Sequence, residues 1–269
     1  MAHPFLIAFA GLGVLVLFLR PVLHFALPRL AKIRTPTNLR ERVMLHYQGK
    51  NFDAWMFAWF KTGLDPMFRE LPEFLKLNDK KGPDPFLSSR IENFLDLGCG
   101  YGLAGCMLLE LLPDAKAYAV DPNPARVSAA AAAMGHRGNV FLGSAPDFEK
   151  PEFPDLFDAA FALDMIHFLT DAELDLTLQR IRNRLNDGNF LFIRSPILPT
   201  RPESLKMKLY RLHAKIRGTF VFFRTVEQIR ERITKAGFEM RTSQFSGTNP
   251  ELFWFIATAF EKQGIERNI

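Results

Sequence analysis

Only two cysteines, Cys99 and Cys106, occur in the 269 residues. That number excludes a disulfide-stapled scaffold and paired CxxC zinc clusters, and it makes a reducing compartment the default. No compact His/Asp/Glu cluster carries metal-ligand spacing, so no metal is expected. There is no internal repeat, and the one low-complexity tract, Ala129–Ala133, is good helix composition. Residues 1–34 contain no acid at all, against four Arg/Lys. Hydrophobic residues make up 48% and charged residues 23%, which excludes a disordered or fibrous chain. The net charge of +5 is unevenly spread. Residues 201–235 hold ten Arg/Lys against three Glu, whereas residues 35–200 hold 17 basic against 22 acidic. A nucleic-acid enzyme more usually places its positive charge beside the catalytic pocket. Here the central segment is acidic, so no nucleic-acid partner is expected.

From Pro4 to Leu19 no side chain is charged or strongly polar; Arg20 interrupts, and the apolar pattern resumes to Leu27. About 20 apolar residues cross a bilayer core, and Arg20 near one end can snorkel. A membrane anchor over residues 1–34 is therefore expected. A buried core or oligomer helix and a cleaved signal peptide stay open as alternatives, although the signal peptide lacks a basic leader and a small-residue cleavage site. The basic cluster Arg29, Lys32, Arg34, Arg40 and Arg42 follows, which by the positive-inside rule leaves the body of the protein in the cytoplasm. Residues 35–90 read as an aromatic-rich helical cap followed by a linker, Asn78 to Ser89. Beyond it, short apolar strands alternate with helical segments through residues 91–269, the texture of a parallel α/β sheet.

The first strand, Asn93–Leu97, runs straight into Gly98-Cys-Gly100-Tyr-Gly102 and an apolar helix, Leu103–Leu112. A tight glycine turn at a strand's carboxyl end lets backbone amides approach a ligand closely, with a helix N-terminus behind it. Gly100-Tyr-Gly102-Leu-Ala-Gly105 also fits the dinucleotide fingerprint, so the glycines alone do not choose the cofactor. Asp96, two residues before the first glycine, can accept from loop amides or from a cationic amino group. The second strand, Ala117–Val120, ends in Asp121, where a carboxylate suits both hydroxyls of an adenosine ribose.

Phe94-Leu-Asp-Leu-Gly-Cys-Gly-Tyr-Gly102 and Ala119-Val-Asp-Pro-Asn-Pro124 resemble the first two motifs of class I S-adenosylmethionine-dependent methyltransferases. Asn139–Asp147 is similar to the third-strand adenine motif, and Phe157–Leu169 to the fourth strand and its catalytic-side turn. Leu185–Ile193 resembles the entry to strand five, with Asn189 in place of the second glycine. The resemblance covers about residues 91–260. It implies a Rossmann-like, doubly wound sheet of seven strands with a terminal antiparallel hairpin, here joined to a helical cap and an anchor helix. It implies S-adenosyl-L-methionine as cofactor, held by Asp96, Gly98, Gly100, Tyr101, Gly102, Asp121, Pro122, Ser144, Ala145, Asp147 and Leu163. The family often has Asp directly after the third-strand glycine; Ser144 stands there, so the adenine contact falls to Asp147 or to backbone. Tyr101 either faces the methionyl tail or packs as filler. At the chain's end, Thr225-Val-Glu-Gln228 reads as a capping box, Gly237 as a helix stop, and Phe238–Gln244 with Leu252–Thr258 as the hairpin.

Methyl transfer to an O–H or N–H acceptor needs alignment and removal of a proton. Asp164, Met165 and His167 follow the fourth strand, where ligands of open α/β sheets lie. His167 is the candidate general base, or else a helix-start histidine bonded to backbone. Asp164 is the second candidate, able to orient His167, to contact the cofactor or, least well supported, to ligate a metal. His46 and Tyr47 on the cap read as structural or as acceptor contacts, and both cysteines as buried filler. The aromatic cap fits an apolar acceptor better than a sugar or a base. In Glu203–Gly218 the residues Leu205, Leu209, Leu212 and Ile216 form a narrow apolar stripe flanked by Lys206, Lys208, Arg211, Lys215 and Arg217. That pattern fits an interfacial helix on membrane lipid, or a solvated helix whose stripe packs on the domain. The expected function is methyl transfer to a hydrophobic small-molecule or lipid-linked acceptor at the cytoplasmic membrane face. The alternative is a non-catalytic adenosylmethionine-binding scaffold of a membrane complex.

Overall fold

A computed structural model describes residues 35–76, 91–199, 202–216 and 218–260. The expected anchor (1–34) and linker (78–89) lie outside these residues. Among the described residues no helix is long and apolar enough to cross a membrane.

Three cap helices come first: α1 (Leu39–Leu45), α2 (Phe52–Leu64) and α3 (Met67–Lys76). The sheet domain then runs β1 (Asn93–Leu97), α4 (Leu103–Leu111), β2 (Lys116–Asp121), α5 (Pro124–Met134), β3 (Gly138–Leu142), β4 (Phe157–Leu163), α6 (Asp171–Asn183) and β5 (Leu185–Pro196). It closes with α7 (Leu205–Ile216), α8 (Val226–Lys235), β6 (Phe238–Ser246) and β7 (Asn249–Ala259). The strand order is β3-β2-β1-β4-β5-β7-β6. The first five strands are parallel, and β7 runs antiparallel to both β5 and β6. This is the seven-stranded Rossmann-like sheet with a terminal hairpin; the hairpin strands reach two residues or more beyond the ranges predicted from sequence.

Helix starts follow local chemistry. The Asn123 side chain accepts from Ala125 and Arg126 amides ahead of Pro124, at the first position of α5. Reciprocal capping boxes, Thr170 with Glu173 and Thr225 with Gln228, start α6 and α8. Alternation in the strands feeds two cores. One side of the sheet packs Phe94, Phe161, Phe192 and Trp254 against α4, α5 and the cap's Tyr47, Phe52, Trp55, Leu71 and Phe74. The other packs Leu95, Leu97, Phe157, Ile193 and Phe255 against α6 and α8. Each such side chain contributes about 1.5–3 kcal/mol by burial. The cap therefore shares a core with the sheet instead of forming a core of its own.

Polar contacts fasten the cap at its far edge. The Glu70 carboxylate on α3 accepts from Trp254 Nε1 at 2.7 Å, from Ser246 Oγ at 2.6 Å and from the Gly247 amide. Phe74 meets the Trp254 ring edge-on at 5.0 Å.

Candidate active site

The parallel topology brings the carboxyl ends of β1, β2 and β4 to one edge, and most of the site residues expected from sequence collect there. Gly98, Gly100 and Gly102 all adopt left-handed φ, of 75°, 58° and 77°. A Cβ at Gly98 would stand 2.7 Å from Met165 Cβ, so the turn and the β4 edge press together. A Cβ at Gly100 would meet no protein atom within 4 Å, so the loop leaves open space on that side. The Gly98 and Cys99 amides donate to Val120 O, locking β1's exit to β2. The Gly100 amide donates 2.9 Å to Asp121 Oδ2, whose other oxygen accepts from the Asn123 amide at 2.9 Å.

Asp96 is buried behind this loop, and its Oδ2 has no hydrogen-bond partner. Burial, helped by the nearby Asp121 carboxylate and opposed by a Gly105 backbone hydrogen bond, pushes its pKa up to about 7. An orphaned buried carboxylate oxygen beside an open glycine turn is a polar site that wants a donor or a cation. The residues present therefore fit the amino group and ribose of an adenosine-type cofactor.

The cap braces the loop from above. Tyr47 Oη donates to Tyr101 O at 3.0 Å, and Phe57 lies 5.3 Å from the Tyr101 ring, with the Arg126 guanidinium 5.9 Å away. His46 holds both ring nitrogens within hydrogen-bond distance of Ala133 O (2.9 Å) and Glu110 Oε1 (2.7 Å), a structural tie between cap and sheet domain. Cys99 and Cys106 are buried, which raises both thiols, Cys106 to about 12.

Beyond β3, Ser144 is exposed and Ala145 half-buried. Asp147 is largely exposed and ion-paired to Arg180 of α6, so its carboxylate is engaged with a neighbouring helix. Pro122 is exposed next to Asp121, and Leu163 is buried at the end of β4.

Asp164, with φ at +56°, sits at the turn after β4. It does not bond His167. Its carboxylate is held by Arg194 of β5, through Nε at 2.8 Å and through Nη2, while Lys61 of α2 stands 3.4 Å away. The same guanidinium, fully buried and 5.6 Å from the Trp254 ring, also takes both oxygens of Asp65, the residue that ends α2. Burial alone would raise both acids. Arg194 overrides it and holds Asp65 and Asp164 below the usual carboxylate range, while the two acids raise the guanidinium pKa. One arginine thus ties the cap to the ends of two strands. Sequence reasoning missed Arg194 and Asp65. The available signal was a cation inside the apolar run Phe190-Leu-Phe-Ile-Arg194 of a central strand.

His167, on a 3₁₀ turn (Ile166–Phe168), is buried. Its Nε2 lies 2.7 Å from Tyr210 Oη of α7, and its Nδ1 has no partner. Phe168, Tyr210 and Phe223 surround the ring at 4.1, 5.9 and 5.9 Å. Burial, aided by Arg224 and opposed by Asp164, lowers its pKa to about 4, so it is neutral at neutral pH. Burial, followed by the charge on Asp164, pushes the Tyr210 hydroxyl up to about 12. The histidine is not bonded to backbone through its ring, and Tyr210 is a site neighbour that sequence reasoning did not single out. Among the described residues no group of three His, Cys, Asp or Glu could hold a metal ion.

Helix α7 corrects one reading of the sequence. It packs through Met207 and Ala214, with Tyr210 between them, whereas the Leu205/Leu209/Leu212/Ile216 stripe faces outward. The stripe is not a packing seam.

Residues 95–191 match the family described as a methyltransferase domain. Solved structures share the fold. An O-methyltransferase family protein from Burkholderia thailandensis aligns at 17% identity with a TM-score of 0.54, over 73% of this chain and 58% of that one. Human N-acetylserotonin methyltransferase, solved with S-adenosylmethionine, aligns at 23% with a TM-score of 0.51, over 77% and 59%. The putative methyltransferase of Haloferax volcanii, in complex with its Trm112 activator, aligns at 14% with a TM-score of 0.54, over 78% and 98%. This chain thus spans about three fifths of the length of the first two. No curated protein matches it in sequence. Residues 95–191 thus form a methyltransferase domain by family match, and the solved structures share the fold around its glycine loop.

Proposed function

We propose that this protein transfers a methyl group to a hydrophobic small-molecule or lipid-linked acceptor at the cytoplasmic face of a membrane. The observation that carries the acceptor class is the setting of His167, boxed by Phe168, Tyr210 and Phe223 under α7. A sugar or nucleotide acceptor would leave polar groups unpaired against those rings. The membrane side of the reading rests on the apolar run of residues 4–19 and the basic cluster after it.

S-adenosylmethionine, when bound, supplies a methyl group on a cationic sulfonium. In this reading Asp96 takes the cofactor's amino group and becomes ionised in doing so. Asp121 takes the ribose hydroxyls through lone pairs its two amide donors leave free. Gly98, Gly100 and Gly102 keep the loop's backbone close, Tyr101, Pro122 and Leu163 line the approach, and Ser144, Ala145 and Asp147 border the adenine side.

His167 receives the acceptor's proton. A buried N–H without an acceptor costs more than a buried lone pair without a donor. The orphaned Nδ1 therefore carries the lone pair, and Nε2–H donates to the Tyr210 oxygen. That tautomer leaves Nδ1 as the basic atom, neutral and ready at pH 7. Asp164 acts at a distance: with Arg194, Asp65 and Lys61 it fixes the β4 turn that presents His167.

The test is turnover to S-adenosylhomocysteine in the presence of fractionated membrane lipid extract, with mass spectrometry for a product one methylene heavier. Tight cofactor binding with no turnover on any fraction would instead establish the scaffold reading.

A further inference from the structure

The outward face of α7 is unlike the rest of the described surface. Leu205, Leu209, Leu212 and Ile216, together with Phe220 just beyond the helix, are between 54% and 80% exposed. The four helix residues fall along one line, 3–4 residues apart, opposite the Met207/Tyr210/Ala214 side that touches the domain. Exposed Lys208, Arg211, His213 and Lys215 border the stripe, and Glu203 at its start pairs with Arg211 at 2.6 Å. A contiguous apolar ridge of this size on a soluble surface marks a contact with something.

The helix is firmly mounted despite its exposure. The Ser204 amide and hydroxyl donate to the buried Glu251, the Met207 amide donates to Ser204 Oγ, and Tyr210 reaches His167. Behind it, the Phe222 amide donates to His167 O, and the buried Arg224 gathers Asp171 with the carbonyls of Ile166, Leu169 and Phe222. Its apolar ridge therefore projects from a fixed base.

Charge chooses the occupant. Residues 1–34 of this chain carry four basic side chains and no acid, so the basic border of α7 repels them. A second copy brings the same basic border to a two-fold contact, like charge against like. An anionic bilayer complements the border, and a convex ridge of Leu, Ile and Phe sinks into a fluid surface without needing a matching groove. Helix α2, whose Lys61 reaches the same β4 turn, adds exposed Trp59, Phe60 and Leu64. Such aromatic groups favour the headgroup boundary.

We propose that α7 is a bilayer-docking helix: it seats Leu205, Leu209, Leu212, Ile216 and Phe220 in an anionic leaflet and holds the His167 side of the domain against the lipid. The proposal deepens the membrane-face reading above, but its test does not depend on turnover.

The experiment uses the full chain with Leu212→Cys carrying an environment-sensitive fluorophore; the native cysteines are buried and do not compete for the label. A control label replaces the exposed Leu176 of α6. Vesicles of phosphatidylcholine alone, or with phosphatidylserine, carry a quencher on the acyl chains. The Leu212→Cys probe is expected to shift to the blue and lose at least half its emission to the quencher on anionic vesicles only. High salt should reverse the effect, and the α6 probe should stay in water. Adding Leu209→Glu and Ile216→Glu should abolish quenching, and the far-ultraviolet spectrum should be unchanged because both residues are exposed. A chain that binds vesicles, by residues 1–34 or otherwise, while the α7 probe stays in water overturns the proposal. So does a chain that binds no vesicle, which would point to an acidic protein partner. Turnover on detergent-dispersed extract separates the two readings. Loss of docking with turnover intact removes only the role of α7, and docking without turnover removes only the catalytic reading.

Discussion

Replacing Asp96 by Asn should stabilise the empty protein and weaken its hold on the cofactor, because the native carboxylate is kept at a cost. In the unfolded chain the group titrates near 3.8, and in the folded chain near 7. That gap of about three units, at about 1.4 kcal/mol each, amounts to about 4 kcal/mol as an upper limit. The sign follows from proton counting. Below pH 4 both states carry the proton and the group is neutral in its effect. Between pH 4 and 7 the unfolded chain has released the proton and the folded chain has not, so stability falls as pH rises. Above pH 7 the full penalty stands. Urea unfolding of both proteins at pH 5 and pH 8 should show the Asn variant gaining about 2–4 kcal/mol on the native protein at pH 8 and much less at pH 5. A difference that is absent, or equal at the two pH values, refutes the reasoning. Calorimetry supplies the second arm. Cofactor affinity of the native protein should climb with pH up to about 7, with heats that depend on the buffer's ionisation enthalpy as Asp96 gives up its proton. The Asn variant should bind more weakly and without proton release.

Asp121→Ala should cost about 1–3 kcal/mol of cofactor affinity, since a charge-assisted pair is lost and the Gly100 amide loses its acceptor; unchanged affinity in a folded protein would dismiss the ribose assignment. His167→Ala should lower the maximal rate about 10²–10⁴-fold with cofactor binding intact. With cofactor saturating, so that Asp96 no longer limits binding, the acid limb of the native enzyme's maximal rate should fall toward pH 4, where His167 gains a proton, with no inflection near 6.5; an inflection there would show that a different group takes the proton. Arg194→Met removes the buried cation between two half-buried acids, leaves them only Lys61, and should destabilise the fold by about 3–5 kcal/mol. Adding Asp65→Asn and Asp164→Asn should recover part of that loss in denaturant melts, and a triple variant no better than the single would contradict the bridging role.

The sheet was legible because its signals are local: short apolar runs, glycines at strand ends, and Thr225 at a helix start. Asp96 and Asp121 were legible for the same reason, each being tied to a strand end by a few residues. Arg194 was not, because its meaning depends on Asp65, 129 residues away, and on Asp164, 30 away. The stripe of α7 shows the opposite limit. A helical wheel displays two usable sides, and the larger leucines marked the wrong one for packing. Small Ala214 and pliable Met207 fit beneath the helix where tyrosine also needed room to reach His167. A wheel ranks hydrophobicity, but the space available beneath a helix decides which side faces inward.

The clasp between Glu70 and the terminal hairpin bears on how the protein is made. Trp254 follows Glu70 by 184 residues. A ribosome adding about 5–20 residues per second takes roughly 10–40 s to cover that distance. For that interval the inner side of α3 has emerged, with Phe74 and a carboxylate, while the strand that covers it has not been synthesised. The nascent cap is thus a client for whatever shields apolar surface during translation, and a chain cut short before β7 would display that side permanently. Premature termination near the carboxyl end should therefore give aggregation, not a slightly shortened enzyme.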